Sequence, residues 1–200
     1  MNFMLKRLFD IILSVFGLIL LLPIFLTAAV LIKVTSKGSI LFCQKRVGRF
    51  GKDFVLYKFR SMKICETTLQ EQFQPGDQSR ITKIGWFLRK TKIDELPQLY
   101  NVLIGDMSFV GPRPEVREWV NAFPEHWKII HQVRPGITDN ASILYRNEEK
   151  ILTESNNPET KYRNEILPQK LQLYKEYIKN QSVLNDLHLI FKTLYTIVAK

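Results

Sequence analysis

The stretch "IILSVFGLILLLPIFLTAAVLI", residues 11–32, decides the fold class, because no charged side chain interrupts it. Coiled as one straight helix it would be about 33 Å long, and a bilayer core is about 30 Å thick. A secretory signal is the weaker reading. Lys6 and Arg7 would supply its basic start and "TAA" a cleavage site, but the apolar run is too long and continues past that site. The segment is therefore expected to stay in the protein and to meet a membrane.

How it meets the membrane turns on two details. Pro23 sits mid-run, where its missing N–H and its ring kink a helix. The kink orphans the carbonyl near Ile19 where water is scarce, although Ser14 or Thr27 can compensate locally. Lys6 and Arg7 precede the run, and Lys33, Lys37, Lys45, Arg46 and Arg49 follow it. Positive charge beside a membrane segment prefers the cytoplasm. A straight span puts one cluster outside. A helix that bends at Pro23 and returns keeps both inside, with Asp10 at headgroup level beside Arg7. The residues by themselves leave both geometries open.

The rest of the chain is short and basic. Its 200 residues amount to about one domain, with a formal charge of +10 and a pI near 9.6. Such a balance points to anionic partners: nucleic acid, lipid surface or phosphorylated ligands. Cys43 and Cys65 form no CxxC pair, which excludes a disulfide scaffold or zinc ribbon and fits a reducing compartment. His126, His131 and His188 lack metal-ligand spacing.

Beyond the apolar run, residues 38–62 read as a β-hairpin: Ile40–Phe42 and Phe54–Phe59 are β-rich, and "GRFGKD" turns between them. Residues 65–80 are polar with a Pro-Gly pair and read as a surface loop. In "ITKIGWFLRKTK" (81–92), aromatics beside cations suit either stacking on single-stranded nucleic acid or an interfacial helix on anionic lipid. The neighbouring membrane segment favours lipid.

Leu96, Leu99, Tyr100 and Leu103 then follow an amphipathic helical period, with Pro97 in the first turn and Gly105 as the stop. Asp94 and Glu95 belong at that helix's start, where carboxylates are favoured in any protein. "GDMSFVGPRPE" (105–115) is too rich in Gly and Pro for regular structure, and "RPGIT" (134–138) reads as another rigid turn. Residues 115–131 read as one helix with Val116, Trp119, Val120 and Phe123 on one face. Two amphipathic helices close the chain, carrying Leu171, Tyr174 and Ile178, then Leu184, Leu187, Ile190, Phe191 and Leu194. There is no repeat and no second core. The expected class is α+β: a membrane-embedded N-terminal piece (1–36), a small β-hairpin, and a mostly helical body (37–200) with interfacial amphipathic helices.

The company of Asp94 and Glu95 lifts them above ordinary first-turn acids. Arg89 lies just upstream, Arg113 is held in "GPRP" and Arg134 in "RPG". Proline beside arginine stiffens the backbone and aims a guanidinium, which suits bidentate phosphate recognition. Carboxylates, a helix start and fixed arginines together suggest a metal and phosphate site. No P-loop, no G-x-G-x-x-G after a strand and no nucleophile elbow is present.

"KFRSM" (58–62), "RKTKIDELPQLYNVLIGDMSFVGPRPE" (89–115) and "RPGIT" resemble the bacterial sugar transferases, the monotopic phosphoglycosyl transferases, and the likeness covers nearly the whole chain. It looks like the minimal form, starting directly at the membrane helix. The resemblance implies a re-entrant helix broken near Pro23, with both ends cytoplasmic at the bacterial inner membrane. It implies transfer of a sugar-1-phosphate from a UDP-sugar to a polyprenyl phosphate such as undecaprenyl phosphate, with release of UMP. Carried over by position, Asp94 is the nucleophile of a covalent phosphosugar intermediate, Glu95 its dyad partner, and Mg²⁺ binds at the dyad. Arg89, Pro112, Arg113, Pro114 and Arg134 fall where the family holds nucleotide and phosphate groups. Lys58 and Arg60 of "KFRSM" join the substrate-binding set.

That chemistry makes physical sense. A carboxylate approaching a diphosphate meets about 4 kcal/mol of repulsion per charge pair at 4 Å and an effective dielectric of 20, on the order of a thousandfold in rate. Cations offset it. Glu95 is better read as positioning metal or handling a late proton, since the acceptor phosphate is already largely ionised near pH 7. Two departures stand out: Asp139-Asn140 where many members have Gly-Leu, and Lys92 where a small polar residue is common. The rival class is a non-catalytic, membrane-anchored basic module that grips anionic lipid or nucleic acid; nucleic acid is not the expected partner. The sugar is not legible.

Overall fold

The computed structural model describes residues 3–63 and 79–199. Most of the polar stretch 65–80, with Cys65, lies outside them. The fold mixes helix and sheet, with helix dominant. It opens with α1 (Phe3–Leu20) and α2 (Leu22–Thr35), bent by 60° relative to each other. Pro23 occupies the first turn of α2, where no N–H is required. Leu21 N donates to Gly17 O (2.9 Å) and Phe25 N to Leu21 O (3.0 Å), so the backbone stays bonded through the bend. Ser14 and Thr27 serve the carbonyls of Asp10 and Pro23 instead of Ile19. Among the described residues no single helix is long and apolar enough to cross a membrane; the bent pair meets the requirement only together.

The start of α1 departs from expectation. Lys6, Asp10 and Ser14 are spaced four apart and form one buried polar stripe. Lys6 Nζ donates to Val110 O (3.1 Å) and pairs with Asp186 (2.5 Å). Asp10 accepts from Ser108 Oγ (3.0 Å) and Phe109 N (3.1 Å). Arg7 donates to Val102 O (2.6 Å) and Leu103 O (2.7 Å). These side chains bind the protein body, with the Arg7 and Asp10 charges still acting on each other. The apolar remainder (Leu8, Ile12, Phe16, Ile19) is exposed.

β1 (Leu41–Val47) and β2 (Asp53–Phe59) form the expected antiparallel hairpin, closed by Gly48 N to Lys52 O (2.8 Å). The outer edge of β2 is satisfied by one side chain: Asn101 Oδ1 accepts from Tyr57 N (3.1 Å) and Nδ2 donates to Val55 O (2.7 Å). Asn101 belongs to α4 (Gln98–Ile104), which stops at Gly105 with φ 98°, as its glycine suggested. Before α4 come α3 (Lys83–Lys90), capped by Thr82, and a 3-10 turn over Ile93–Glu95. The helical face differs from the expected one: Tyr100 is exposed, whereas Gln98 and Asn101 are buried. Trp86 and Phe87 of α3 are exposed beside Lys90.

Two supposed turns are a sheet. β3 (Ser108–Val110) and β4 (Gly136–Thr138) pair in parallel. The chains meet so closely that a Cβ on Gly136 would lie 2.1 Å from Gly111 N. Pro and Gly disguised these strands because they are three residues long. The helix expected over 115–131 is likewise two: α5 (Arg117–Ala122) and α6 (Pro124–Ile130), since Pro124 can start a helix but cannot continue one.

The chain continues as α7 (Asn140–Leu144), α8 (Glu148–Thr153), α9 (Pro158–Lys161), a π turn (Tyr162–Ile166), α10 (Leu167–Lys179) and α11 (Val183–Val198). The main core joins Trp119, Trp127, Leu152, Tyr162, Leu167 and Leu171. α2 packs separately, with Ala28 and Ile32 against Phe59 and Leu88. The expected apolar face of α11 is turned outward at Leu184, Phe191 and Leu194, and the helix buries Asp186 and Leu189 instead.

Two outcomes follow. Gly136→Ala should lower stability by at least about 2 kcal/mol, read as a drop in Tm, because backbone on both sides must move. Burial, reinforced by Arg117, lowers the His131 pKa from 6.5 to about 4. Protons then favour the unfolded chain between those values, so stability should fall as pH drops from 6.5 through 4. His131→Gln should flatten that part of the Tm–pH profile.

Candidate active site

Asp94 and Glu95 lie in the 3-10 turn ahead of α4, not in its first turn. The turn is entered through Lys92 at φ 58°, a left-handed conformation that non-glycine residues seldom adopt outside constrained sites. Lys92 therefore sets the local bend.

The two acids have opposite surroundings. Glu95 is nearly enclosed, its side chain 12% exposed. Lys58 of β2 donates to its Oε1 at 2.9 Å. Arg113 reaches both of its oxygens, Nη2 to Oε1 and Nη1 to Oε2 (3.4 Å). Burial alone would raise this carboxyl, but Arg113, Lys58 and Lys92 hold it well below the usual range. In return Glu95 raises the Arg113 pKa above its already high value. Burial lowers Lys58 against the pull of Glu95.

Asp94 is 7% exposed and its Oδ1 is buried with no hydrogen-bond partner among the described residues. Burial and the adjacent Glu95 charge raise its pKa. One carboxylate is thus saturated by cations and the other is left with a bare oxygen. The bare oxygen suits a nucleophile or a hard-cation ligand. No cluster of three metal-binding side chains occurs among the described residues. A divalent cation here would rely on one or two carboxylates, water and ligand phosphates, which is the habit of magnesium. Asp94 fits that demand directly; Glu95 does so only by exchanging a cation partner.

The other candidates separate into two groups. Arg113 lies between buried Pro112 and Pro114 and reaches the dyad. Arg89, at the end of α3, feels the charges of Asp94 and Glu95 and pairs with Glu149 of α8. Arg60 and Arg134 go elsewhere. Arg60 donates to Ser36 O and Oγ (both 2.9 Å) and to Lys37 O, capping the end of α2. Arg134 donates to Gly105 O (2.8 Å), at the end of α4 opposite the dyad. Asp139 is buried as the N-cap of α7, with Oδ1 accepting from Ser142 N (2.9 Å), so it serves a helix start. Pro23 lies at the bend between α1 and α2.

Sequence reading missed Asn101, and with it Arg46, Glu115, Tyr162 and Lys170, which form a buried charged cluster behind Arg113. For Glu115 a signal existed, an acid ending "GPRPE"; Tyr162 and Lys170 have no local motif at all.

The model of the family described as bacterial sugar transferase matches residues 1–200. The chain belongs to that family. Among its relatives, it is 39% identical over 198 residues to a UDP-N-acetylgalactosamine-undecaprenyl-phosphate N-acetylgalactosaminephosphotransferase of Aeromonas hydrophila, covering 96% of this chain and 43% of that protein. It is also 39% identical to a UDP-glucose:undecaprenyl-phosphate glucose-1-phosphate transferase of Klebsiella pneumoniae, covering 97% of this chain and 40% of that protein. The exopolysaccharide production protein PSS of Rhizobium leguminosarum bv. phaseoli is 38% identical over 97% of this chain and 95% of its own length. This family member thus spans under half of the first two relatives and nearly all of the third.

The Glu95 arrangement carries its own test. Arg113→Met leaves a buried carboxylate with one cation fewer and should cost about 3 kcal/mol. Adding Glu95→Gln should recover much of that loss, a coupling measurable by thermal unfolding of the two single variants and the double.

Proposed function

We propose that the protein transfers a sugar-1-phosphate from a UDP-sugar to a polyprenyl phosphate such as undecaprenyl phosphate, releasing UMP, as the first membrane step of glycan assembly. The observation that carries this reading is the split dyad: a bare, buried Asp94 oxygen beside a Glu95 already neutralised by Lys58 and Arg113. The relatives' names, which join UDP-sugars to undecaprenyl phosphate, support the substrate class. They name two different sugars at the same 39% identity, so the sugar stays unassigned.

In the proposed first step, Asp94 Oδ1 attacks the phosphorus next to the sugar. The P–O bond to the bridging oxygen breaks, and UMP leaves with that oxygen. In the second, an oxygen of the polyprenyl phosphate attacks the same phosphorus and the Asp94 carboxylate is released. Magnesium, bound at Asp94 together with substrate phosphates, would neutralise charge and bring Asp94 to its ionised form. Arg113 and Arg89 orient phosphate oxygens. Lys58 and Arg113 keep Glu95 ionised, which suits a cation-positioning role better than that of a base.

The membrane reading is a re-entrant α1–α2 pair with the body on the cytoplasmic face. Both ends of the pair hold the same body: Lys6, Arg7 and Asp10 at the start, and Ser36 and Lys37 through Arg60 at the close. A straight span would hold its ends about 30 Å apart on opposite sides. The outward apolar residues around the bend supply the lipid contact.

Asp94→Asn should abolish UMP release from a UDP-sugar supplied with undecaprenyl phosphate and Mg²⁺, leave membrane association intact, and remove a phosphosugar adduct seen by denaturing mass spectrometry. Full activity of that variant excludes Asp94 as nucleophile. Failure of the unmodified protein across a broad UDP-sugar panel returns the chain to the non-catalytic binding class.

A further inference from the structure

The segment that carries Arg113 has prolines on both sides, so two of its four residues offer no N–H and its carbonyls and the Glu115 side chain supply much of its anchoring. Three carbonyls are held: Pro112 O by Gly136 N (3.0 Å), Pro114 O by Arg46 Nη1 (3.3 Å) and Glu115 O by Val47 N (2.9 Å). Glu115 is buried, accepting from Arg46 Nη1 on Oε2 (3.2 Å) and from the Tyr162 hydroxyl on Oε1. Lys170 Nζ donates to Tyr162 Oη (3.3 Å) and Glu148 Oε2 (3.0 Å), and lies 3.8 Å from Glu115. The chain Glu148–Lys170–Tyr162–Glu115–Arg46 is balanced, two acids against two bases, with a tyrosine hydroxyl as the link. It runs from α8 through α10 and the π turn to β1.

Tyr162 itself is fixed from three sides. Trp119 meets its ring edge-on at 5.1 Å, and Lys170 Nζ sits 5.1 Å from its ring centre. Tyr162 opens the π turn, an element that recurs at functional sites, and its hydroxyl meets Glu115. Arg46 feels the charge of Glu95, but nothing in the proposed chemistry uses this cluster.

We propose that Tyr162 and Lys170 are positioning residues: through Glu115 they set where the Arg113 guanidinium lies against Glu95 and an incoming phosphate. This rests on the phosphoglycosyl transfer reading above. Removing the Tyr162 hydroxyl loosens the 112–115 segment without removing any charge, and a displacement of about 1 Å at a positioned group can cost on the order of a hundredfold in rate.

The test is UMP release by purified protein in detergent or nanodiscs, scored as kcat/KM, with Tm as the folding control. Tyr162→Phe should lose about tenfold or more while remaining folded, and Lys170→Met more, with part recovered in Lys170→Arg. In an Arg113→Lys background the Tyr162→Phe loss should shrink below about twofold, because the group being positioned is already altered. A general structural role predicts the same factor in both backgrounds, and that result, or an unchanged rate for Tyr162→Phe, overturns the proposal. If Lys170→Met does not fold, Tyr162→Phe decides alone. If the unmodified protein releases no UMP from any UDP-sugar, the transfer reading has failed. The network is then judged by the Tm cycle of Tyr162→Phe and Arg113→Lys, where coupled shifts keep it and additive shifts overturn it.

Discussion

The carboxylate of Glu95 joins three separate stretches of chain. Lys58 comes from the hairpin, Glu95 from the turn before α4, and Arg113 from the proline-locked segment after β3. An enclosed carboxylate without cations would be costly, and two enclosed cations without it equally so. Each group therefore requires the others, and the requirement holds hairpin, turn and GPRPE segment in register. The consequence for chemistry falls on the neighbour. Because the cations go to Glu95, Asp94 keeps an oxygen with no partner, in a site whose net charge favours an anionic ligand.

The same logic of paired groups governs the N-terminal helices. α1 is apolar on most of its surface, yet it is tied to the body by a polar stripe in which every member has a partner. Gly17 lets α1 lie close on α4, since a Cβ there would already be 3.2 Å from Leu99. α4 in turn satisfies the free edge of β2 through Asn101. The bent helix pair, the hairpin and the dyad are thus connected through one seven-residue helix. Movement of the bent pair would be felt at the site through α4.

Much of this was legible before folding. The long motif around Asp94 and Arg113 identified the family. Pro23 marked the bend, Gly105 the helix stop, and β-rich runs the hairpin. What escaped had physical reasons. β3 and β4 are too short to show alternation and carry Gly and Pro at their ends, which ordinarily mark turns. Arg60 and Arg134 also donate to backbone carbonyls at helix ends, contacts that their motifs do not report. Tyr162 and Lys170 reach Glu115 from more than 45 residues away. No local pattern reports such a contact.

Composition, the uncharged run and the Asp-Glu motif by themselves determined the class of molecule: a basic family member with an apolar N-terminal segment and an Asp-Glu pair set among arginines. Those properties are additive over residues or confined to short windows, so a linear reading suffices. The tertiary structure alone decided which acid is neutralised and which is bare, which arginines meet the dyad, and that Lys6, Arg7 and Asp10 serve the body. Each of these depends on which distant group satisfies a buried charge, and that is settled only when the chain has closed on itself.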